Sequence, residues 1–564
     1  MAPDTPDQSG ESAPRKLLIL AIDAGEPALL RAWAGDGTLP HIAAMMEEGL
    51  VGRCYRKGDL CLGTPWPSFS TGTNPGEHGI YWFDQLRPGT YRTRRTTPAD
   101  LDRPKALWDV LADAGRRVVV IDVPFTRLTP RPGGTQVVEW GVHDGLFGFQ
   151  ADPPALTRVI LDSIGRHPAP VACDRPDRTT AEYSAFTDQL VSGAVARANL
   201  TRTILAREPW DFAIQVFSEA HCAGHQLWHF HDPAHPAHNL RSTAAEGDLL
   251  RTVYMAIDSA VGEVLASVDS NTTVVLMSLH GMTFAAGGGL LMDDILARLG
   301  VMTPASSAPN GTGLRTIRPS LPRRAVRLAR HIYHLLPQQL RLPLYRARAH
   351  ISQQWLGRGV PLGIDPTRSR CFKIEMGQTV SGIRLNLAGR EPHGILAPGV
   401  EAEQFCEQLI QDLSDIVNPD TGRRLITRVA KSADLYHGQQ MGGLPDLVVE
   451  WDLEEPLGTT AVRPGDGASK KAWSPRLGLV ERVNHNCRTG EHLIEGMFVA
   501  RGPGISPGRL PAPVGTLDFA PTFARILGCE MPSVDGHVIE ELVPSHCSTA
   551  KHAEPATDTM SDSG

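Results

Sequence analysis

The stretch Asn484 to Ile505, NHNCRTGEHLIEGMFVARGPGI, sets His492 just ahead of a short apolar run that closes in a Gly-Pro-Gly turn. A histidine at the mouth of a strand can bind a ligand. Upstream segments offer it companions. RKLLILAIDAGEP places Asp23 behind an apolar run, FSEAHCAGHQLWH carries His221 and His225, and VVLMSLHGM carries His280. Imidazoles four residues apart share one face if the segment is helical, a spacing that also suits metals. Taken singly, an Asp after a strand is commonly a helix cap, and a lone histidine is more often a packed residue than a ligand. Their recurrence at one topological position carries the inference.

Thr64 stands apart from this set. It precedes Pro65 in GTPWPSFSTG, the pattern of an N-cap followed by proline at the first helical position. A hydroxyl there faces unpaired backbone N–H groups and the positive end of the helix dipole, where a phosphoryl or sulfuryl oxyanion is stabilised. A nearby metal can make that oxygen a nucleophile. A plain capping threonine explains the local sequence equally well.

The elements that position these residues follow from hydrophobic periodicity. Short Val-, Ile- and Leu-rich runs over Lys16 to Asp23, Arg117 to Val123, Asp211 to Phe217, Thr272 to Ser278, Leu444 to Trp451 and Gly496 to Ala500 are expected strands. Helix-period segments lie between several of them, over Ala181 to Ala206, Glu246 to Val268 and Ala402 to Val417. Strands apolar on both faces and separated by helices predict a largely parallel sheet covered on both sides. Ligands of such folds bind beyond the carboxyl ends of the strands, where Asp23, His221, His225 and His280 fall.

Composition bounds the rest. A chain of 564 residues with 41% hydrophobic and 21% charged residues is ordinary for a soluble globular enzyme and can bury at least one large core. The first fifteen residues and the tail from about Ser545 are polar and small, and are expected to be disordered. No secretory signal and no window near the length of a membrane span is present, and nine cysteines scattered without a CxxC pair fit reduced thiols, so a cytoplasmic protein is expected. A net charge of -7 argues against broad nucleic-acid affinity. Val301 to Ile364 holds no acidic residue, while arginines recur at 315, 318, 323, 324, 327, 330, 341, 346, 348 and 358.

The full order of motifs carries a resemblance. Asp23 after the first strand, TGTNPGEHGI behind a hydroxyl-bearing helix start, the GH pair ending at His225, the HGM at His280, GEHLIEGMFVARGPGI and TLDFAPTFARILGCEMPSVDG together resemble the alkaline phosphatase superfamily, and within it the type I phosphodiesterase/nucleotide pyrophosphatase family. The likeness runs from about Lys16 to Leu542. It implies an alkaline phosphatase-like α/β/α sandwich with a catalytic domain over 16–300 and 391–544, interrupted by an Arg-rich insertion or cap over 301–390. It also implies two divalent metals, zinc first and manganese or another transition metal as alternatives, and a covalent intermediate on a Thr or Ser.

By position, Asp23, Thr64 and His280 would share one metal site, and His225, His492 and residue 221 the other. The chain departs from the family at two places. Relatives read SDHGM where this chain has Ser278-Leu279-His280-Gly281-Met282, so the first site is expected to be weak or empty and the second to be the tight one. The usual Asp of the DxxGH-type motif is His221 here, with Glu219 nearby as a substitute. Counted back from Thr71-Gly72, the family's nucleophile position falls nearer Leu62; a contracted loop restores Thr64, with Ser68 and Cys61 as alternatives.

The function so implied is metal-dependent hydrolysis of a phosphate ester or phosphodiester in a small anionic substrate. The alternatives are a non-hydrolytic member that binds an anionic metabolite, and a sulfatase, phosphonate hydrolase or phosphotransferase. The insertion reads as a lid whose arginines attract an anionic substrate or a membrane surface, or equally as a solvated basic face.

Overall fold

The computed structural model describes residues 16–55, 65–102, 104–130, 133–143, 145–169, 173–175, 178–238, 247–284, 287–305, 360–458, 469–484 and 487–544. Thr64, Cys61, the two expected disordered ends and the arginines from 315 to 358 lie outside the described residues.

Nine strands form the central sheet, in the spatial order Gly508–Arg509, Leu50–Cys54, Gly496–Arg501, Thr273–Ser278, Leu17–Ile22, Phe212–Phe217, Val118–Ile121, Thr135–Val138 and Gln150–Asp152. The five from Thr273–Ser278 to Thr135–Val138 run parallel. Gly496–Arg501 enters antiparallel between Thr273–Ser278 and Leu50–Cys54. Leu17–Ile22 explains why the sheet sits in the middle. Leu18, Leu20 and Ile22 join one apolar core, Leu17, Ile19 and Ala21 the other, and all six are at most 1% exposed. A strand apolar on both faces must be covered on both faces.

The helices Pro27–Gly35, Pro40–Glu48, Thr180–Leu205, Glu219–His231 and Leu249–Leu265 supply one cover, and Pro65–Thr71, Leu107–Asp113 and Phe519–Ile526 the other. The expected α/β/α sandwich is the architecture found. Thr180–Leu205 starts at a capping box in which Thr179 and Glu182 satisfy each other's backbone N–H groups.

A second sheet departs from the expected domain boundary. Cys371–Glu375, Val380–Leu385, Leu447–Trp451 and Ile426–Lys431 pair antiparallel in that order and pack on the helices Met292–Arg298 and Val400–Ser414 around a separate core. Residue 390 therefore falls inside one folded unit rather than at its end, and the expected strand Leu444 to Trp451 belongs to this sheet and not to the central one. Local apolar runs look alike in either sheet; only the pairing of Val380–Leu385 with Leu447–Trp451 tells them apart.

Candidate metal centre

Three adjacent parallel strands bring the polar residues together. Leu17–Ile22 is followed by Asp23, Phe212–Phe217 by the helix Glu219–His231, and Thr273–Ser278 by His280, so their carboxyl ends open on one edge. The antiparallel strand pair Gly281–Phe284 and Gly490–Leu493 completes the edge and sets His492 opposite Met282. Close approach of this pair to the helix depends on Gly490. A Cβ there would lie 2.2 Å from the carbonyl oxygen of Gly224.

His221 and His225 do share a helix face, with their Nε2 atoms 3.0 Å apart. Nδ1 of His221 sits 2.6 Å from Oδ2 of Asp23, and Nδ1 of His225 sits 2.8 Å from the carbonyl oxygen of Gly490. A carboxylate and a carbonyl only accept, so both Nδ1 atoms carry the proton and both Nε2 atoms are left as lone pairs. Nη1 of Arg488, 3.1 Å from Nε2 of His225, partners one of these lone pairs, and a divalent cation would take both. His492 stands beside them, its ring centroid 4.8 Å from those of His221, His225 and His280. The Nδ1 atoms of His492 and His280 are buried without a hydrogen-bond partner.

Burial holds the imidazoles in the neutral form that ligates metals. It pushes His221 down to about 4 against the opposing pull of Asp23, and His225 and His492 well below the ordinary range, helped by Arg488 and by neighbouring imidazoles. Asp23 is held well below the usual carboxylate range: its burial acts the other way, and His221 and His280 outweigh it. The ligand atoms of His221 and His225 lie within 4.8 Å of that of His143, and the ligand atom of His225 lies within 4.8 Å of those of Glu491 and His492, donor sets that fit a divalent transition metal.

The Asp23 and His280 side is built differently. Oδ1 of Asp23 accepts from the Trp66 indole at 2.9 Å and lies 3.5 Å from Nε2 of His280, while Oδ2 is committed to His221. Leu279 is buried at 3% exposure and offers no donor. The Trp66 bond ties the start of the helix Pro65–Thr71 to the centre.

Glu219 and Ser68 are placed elsewhere in chemical terms. Glu219 lies in a buried network, bonded to Arg197 at 3.0 Å and to His167 at 2.8 Å, with Arg197 also paired to Asp122 at 2.6 Å. Ser68 Oγ lies 3.0 Å from Nε2 of His78, whose Nδ1 accepts from the Ile80 N–H at 3.1 Å. That tautomer makes His78 a donor to Ser68, the wrong polarity for a general base. His229, on the helix Glu219–His231, and His235, just beyond it, both hydrogen-bond to Thr489.

Sequence reasoning missed three neighbours. His143 lies with its ring 4.3 Å from that of His221. It follows Thr135–Val138, a parallel strand of the same sheet, so the strand-end rule would have reached it had the four residues TQVV shown a period. Arg488 and Glu491 flank His492 in the stretch already singled out. Arg488 is fixed by two bonds to Asp174, from Nε at 2.9 Å and Nη2 at 2.8 Å, and its Nη1 reaches Nε2 of His225 at 3.1 Å. Glu491 is buried, which raises its carboxyl, and can offer an oxygen beside His225 and His492.

Comparison with known proteins agrees with the order of motifs. The family described as type I phosphodiesterase / nucleotide pyrophosphatase matches residues 17–355, more than half of the chain. Among curated proteins no sequence match is found. Solved structures similar to this chain include phosphonoacetate hydrolase from Sinorhizobium meliloti 1021 in complex with phosphonoformate, at 13% identity and a TM-score of 0.44, over 90% of this chain and 94% of that one. Another is murine ectonucleotide pyrophosphatase / phosphodiesterase 5, in an inactive form in complex with AMP, at 12% identity and a TM-score of 0.44, over 93% of this chain and 97% of that one.

Proposed function

The chain belongs to the type I phosphodiesterase/nucleotide pyrophosphatase family, and on that premise we propose that it is a metal-dependent hydrolase of phosphate esters or phosphodiesters with Thr64 as its nucleophile. The observation that carries the reading is the convergence of the His221 and His225 Nε2 lone pairs at 3.0 Å beside His492. These three imidazoles would hold one divalent cation, zinc in the first instance, and when bound it supplies charge to a developing phosphoryl oxyanion.

The chain's own residues do the rest. Asp23 orients His221 and, through Trp66, anchors the helix that follows Thr64. Arg488 competes with a cation for Nε2 of His225; released from it, the guanidinium keeps its Asp174 pair and its Nη1 can donate to an anionic substrate oxygen. The test is turnover of a nitrophenyl phosphodiester by metal-loaded and by chelator-stripped protein. Hydrolysis should require the metal and return with zinc or manganese.

A second reading, a non-hydrolytic protein that binds a phosphate-bearing anion, is favoured by buried Leu279 and by the engagement of both Asp23 oxygens. Metal-loaded protein that turns over no phosphate, phosphonate or sulfate ester would decide for it.

A further inference from the structure

Beside His221, whose ring lies 4.3 Å from that of His143, is a second set of donors. His143 Nδ1 lies 3.2 Å from Sγ of Cys222, the residue next to His221 on the helix Glu219–His231. Ligand atoms of His143, Cys173 and Cys222 fall within 4.8 Å of one another, and the Cys173 thiol also donates to Oδ1 of Asp174 at 3.9 Å. Cys173 is 0%, Cys222 4% and His143 8% exposed. We propose that His143, Cys173 and Cys222 form a second metal site, rich in thiolate and selective for a borderline or soft cation such as Zn2+, adjoining the imidazole site of the proposed hydrolase through His143.

The common fate of a buried cysteine is to pack as a small hydrophobe. Three features set this cluster apart. Its donors come from three distant parts of the chain, and although both cysteines border the apolar core, their ligand atoms and that of His143 converge within 4.8 Å. Four-coordinate zinc bound by sulfur at about 2.3 Å and nitrogen at about 2.0 Å sets donors about 3.3 to 3.8 Å apart, a spacing these atoms reach with little movement. Charge also balances, since two thiolates neutralise a divalent cation and the occupied site buries no net charge.

The segment that delivers Cys173 is well anchored. Arg178 Nη2 donates to the Cys173 carbonyl at 2.6 Å, and the next residue, Asp174, accepts from Gln226 at 3.2 Å and from Arg488. Arg178 also bonds to Gln226 of the same helix that carries Cys222. The third ligand is therefore held against the helix before any metal arrives. A fourth position remains for water to fill.

Two measurements on the full chain test the proposal. Zinc-loaded wild-type protein should show a sulfur shell at about 2.3 Å in X-ray absorption, alongside the nitrogen and oxygen shell of the imidazole site. Cobalt-substituted protein should show a thiolate-to-cobalt charge-transfer band that Cys173→Ser and Cys222→Ser each remove, together with one equivalent of metal. His492→Ala should keep that band and lose the other equivalent. Zinc-loaded protein without sulfur scattering, or a thiolate band that survives both cysteine variants, overturns the proposal. If the band is absent while one equivalent remains bound through nitrogen and oxygen, this inference fails and the hydrolase reading stands; a thiolate band with no metal lost in His492→Ala would be the reverse.

Discussion

Nδ1 of His221 donates to Oδ2 of Asp23 across 2.6 Å, and this bond fixes which nitrogen of His221 faces His225. In the family resemblance the two residues fall in different metal sites. Here the carboxylate acts on the imidazole, holding its tautomer and orientation and raising its basicity, as carboxylates behind metal-bound histidines do.

Asp23→Asn keeps the side-chain shape and removes the charge. Metal affinity at the imidazole site should fall about 10- to 100-fold, the usual cost of losing such a partner. Competition with a chromophoric chelator measures it. Unchanged affinity would mean that Asp23 does not support His221.

Much of this centre was legible because strand-end positions are set by local patterns. An apolar run followed by Asp23, and others followed by His221 and His280, announce a shared edge once the sheet is parallel. His143 follows a strand of four residues, Thr135–Val138, too short to show periodicity. Arg488 was hidden for another reason. Its role depends on Asp174 and His225, which lie far from it in sequence and adjoin it only in the folded chain. That residue 390 falls between two strands of the second sheet was unreadable for the same cause, since the pairing of Ile383 with Leu447 and of Val380 with Glu450 leaves no local trace.

Leu279→Asp bears on the Asp23 and His280 side. A carboxylate would replace a buried apolar group beside Asp23 and His280, a poor exchange unless a cation joins it. In metal-free buffer the variant should lose stability, and with zinc it should bind one more equivalent than wild type, recover that loss and show higher phosphodiesterase activity. Elemental analysis and thermal unfolding with and without metal read both effects. Equal stoichiometry in a folded variant would show that Leu279 is not what weakens this side.

His78 gives a pH dependence independent of the metal. Burial pushes its imidazole down to about 3 from an unfolded value of about 6.5, so the unfolded chain binds the proton more readily between those limits. The stability this group contributes is complete above pH 6.5 and is lost as pH falls toward 3, with a total on the order of a few kcal/mol. His78→Gln should unfold more easily than wild type at pH 7, because the contacts to Ser68 and Ile80 weaken, but should lose less stability between pH 6.5 and 4. Denaturant unfolding at both pH values provides the comparison. Parallel pH profiles would show that His78 is not held neutral by the fold.

Thr64 is the proposed nucleophile. Cation, guanidinium and helix dipole can only stabilise an intermediate that some oxygen has formed, so removing the attacking oxygen should cost more than removing any one stabilising contact. Thr64→Ala should lower turnover of a nitrophenyl phosphodiester by several orders of magnitude while leaving metal content and far-ultraviolet dichroism unchanged, whereas His492→Ala should lose activity and one equivalent of metal together. Thr64→Ser should restore part of the rate, because a hydroxyl alone suffices for attack. Wild-type turnover in Thr64→Ala would move the role to Cys61 or to a water, since the His78 tautomer already leaves Ser68 without a base.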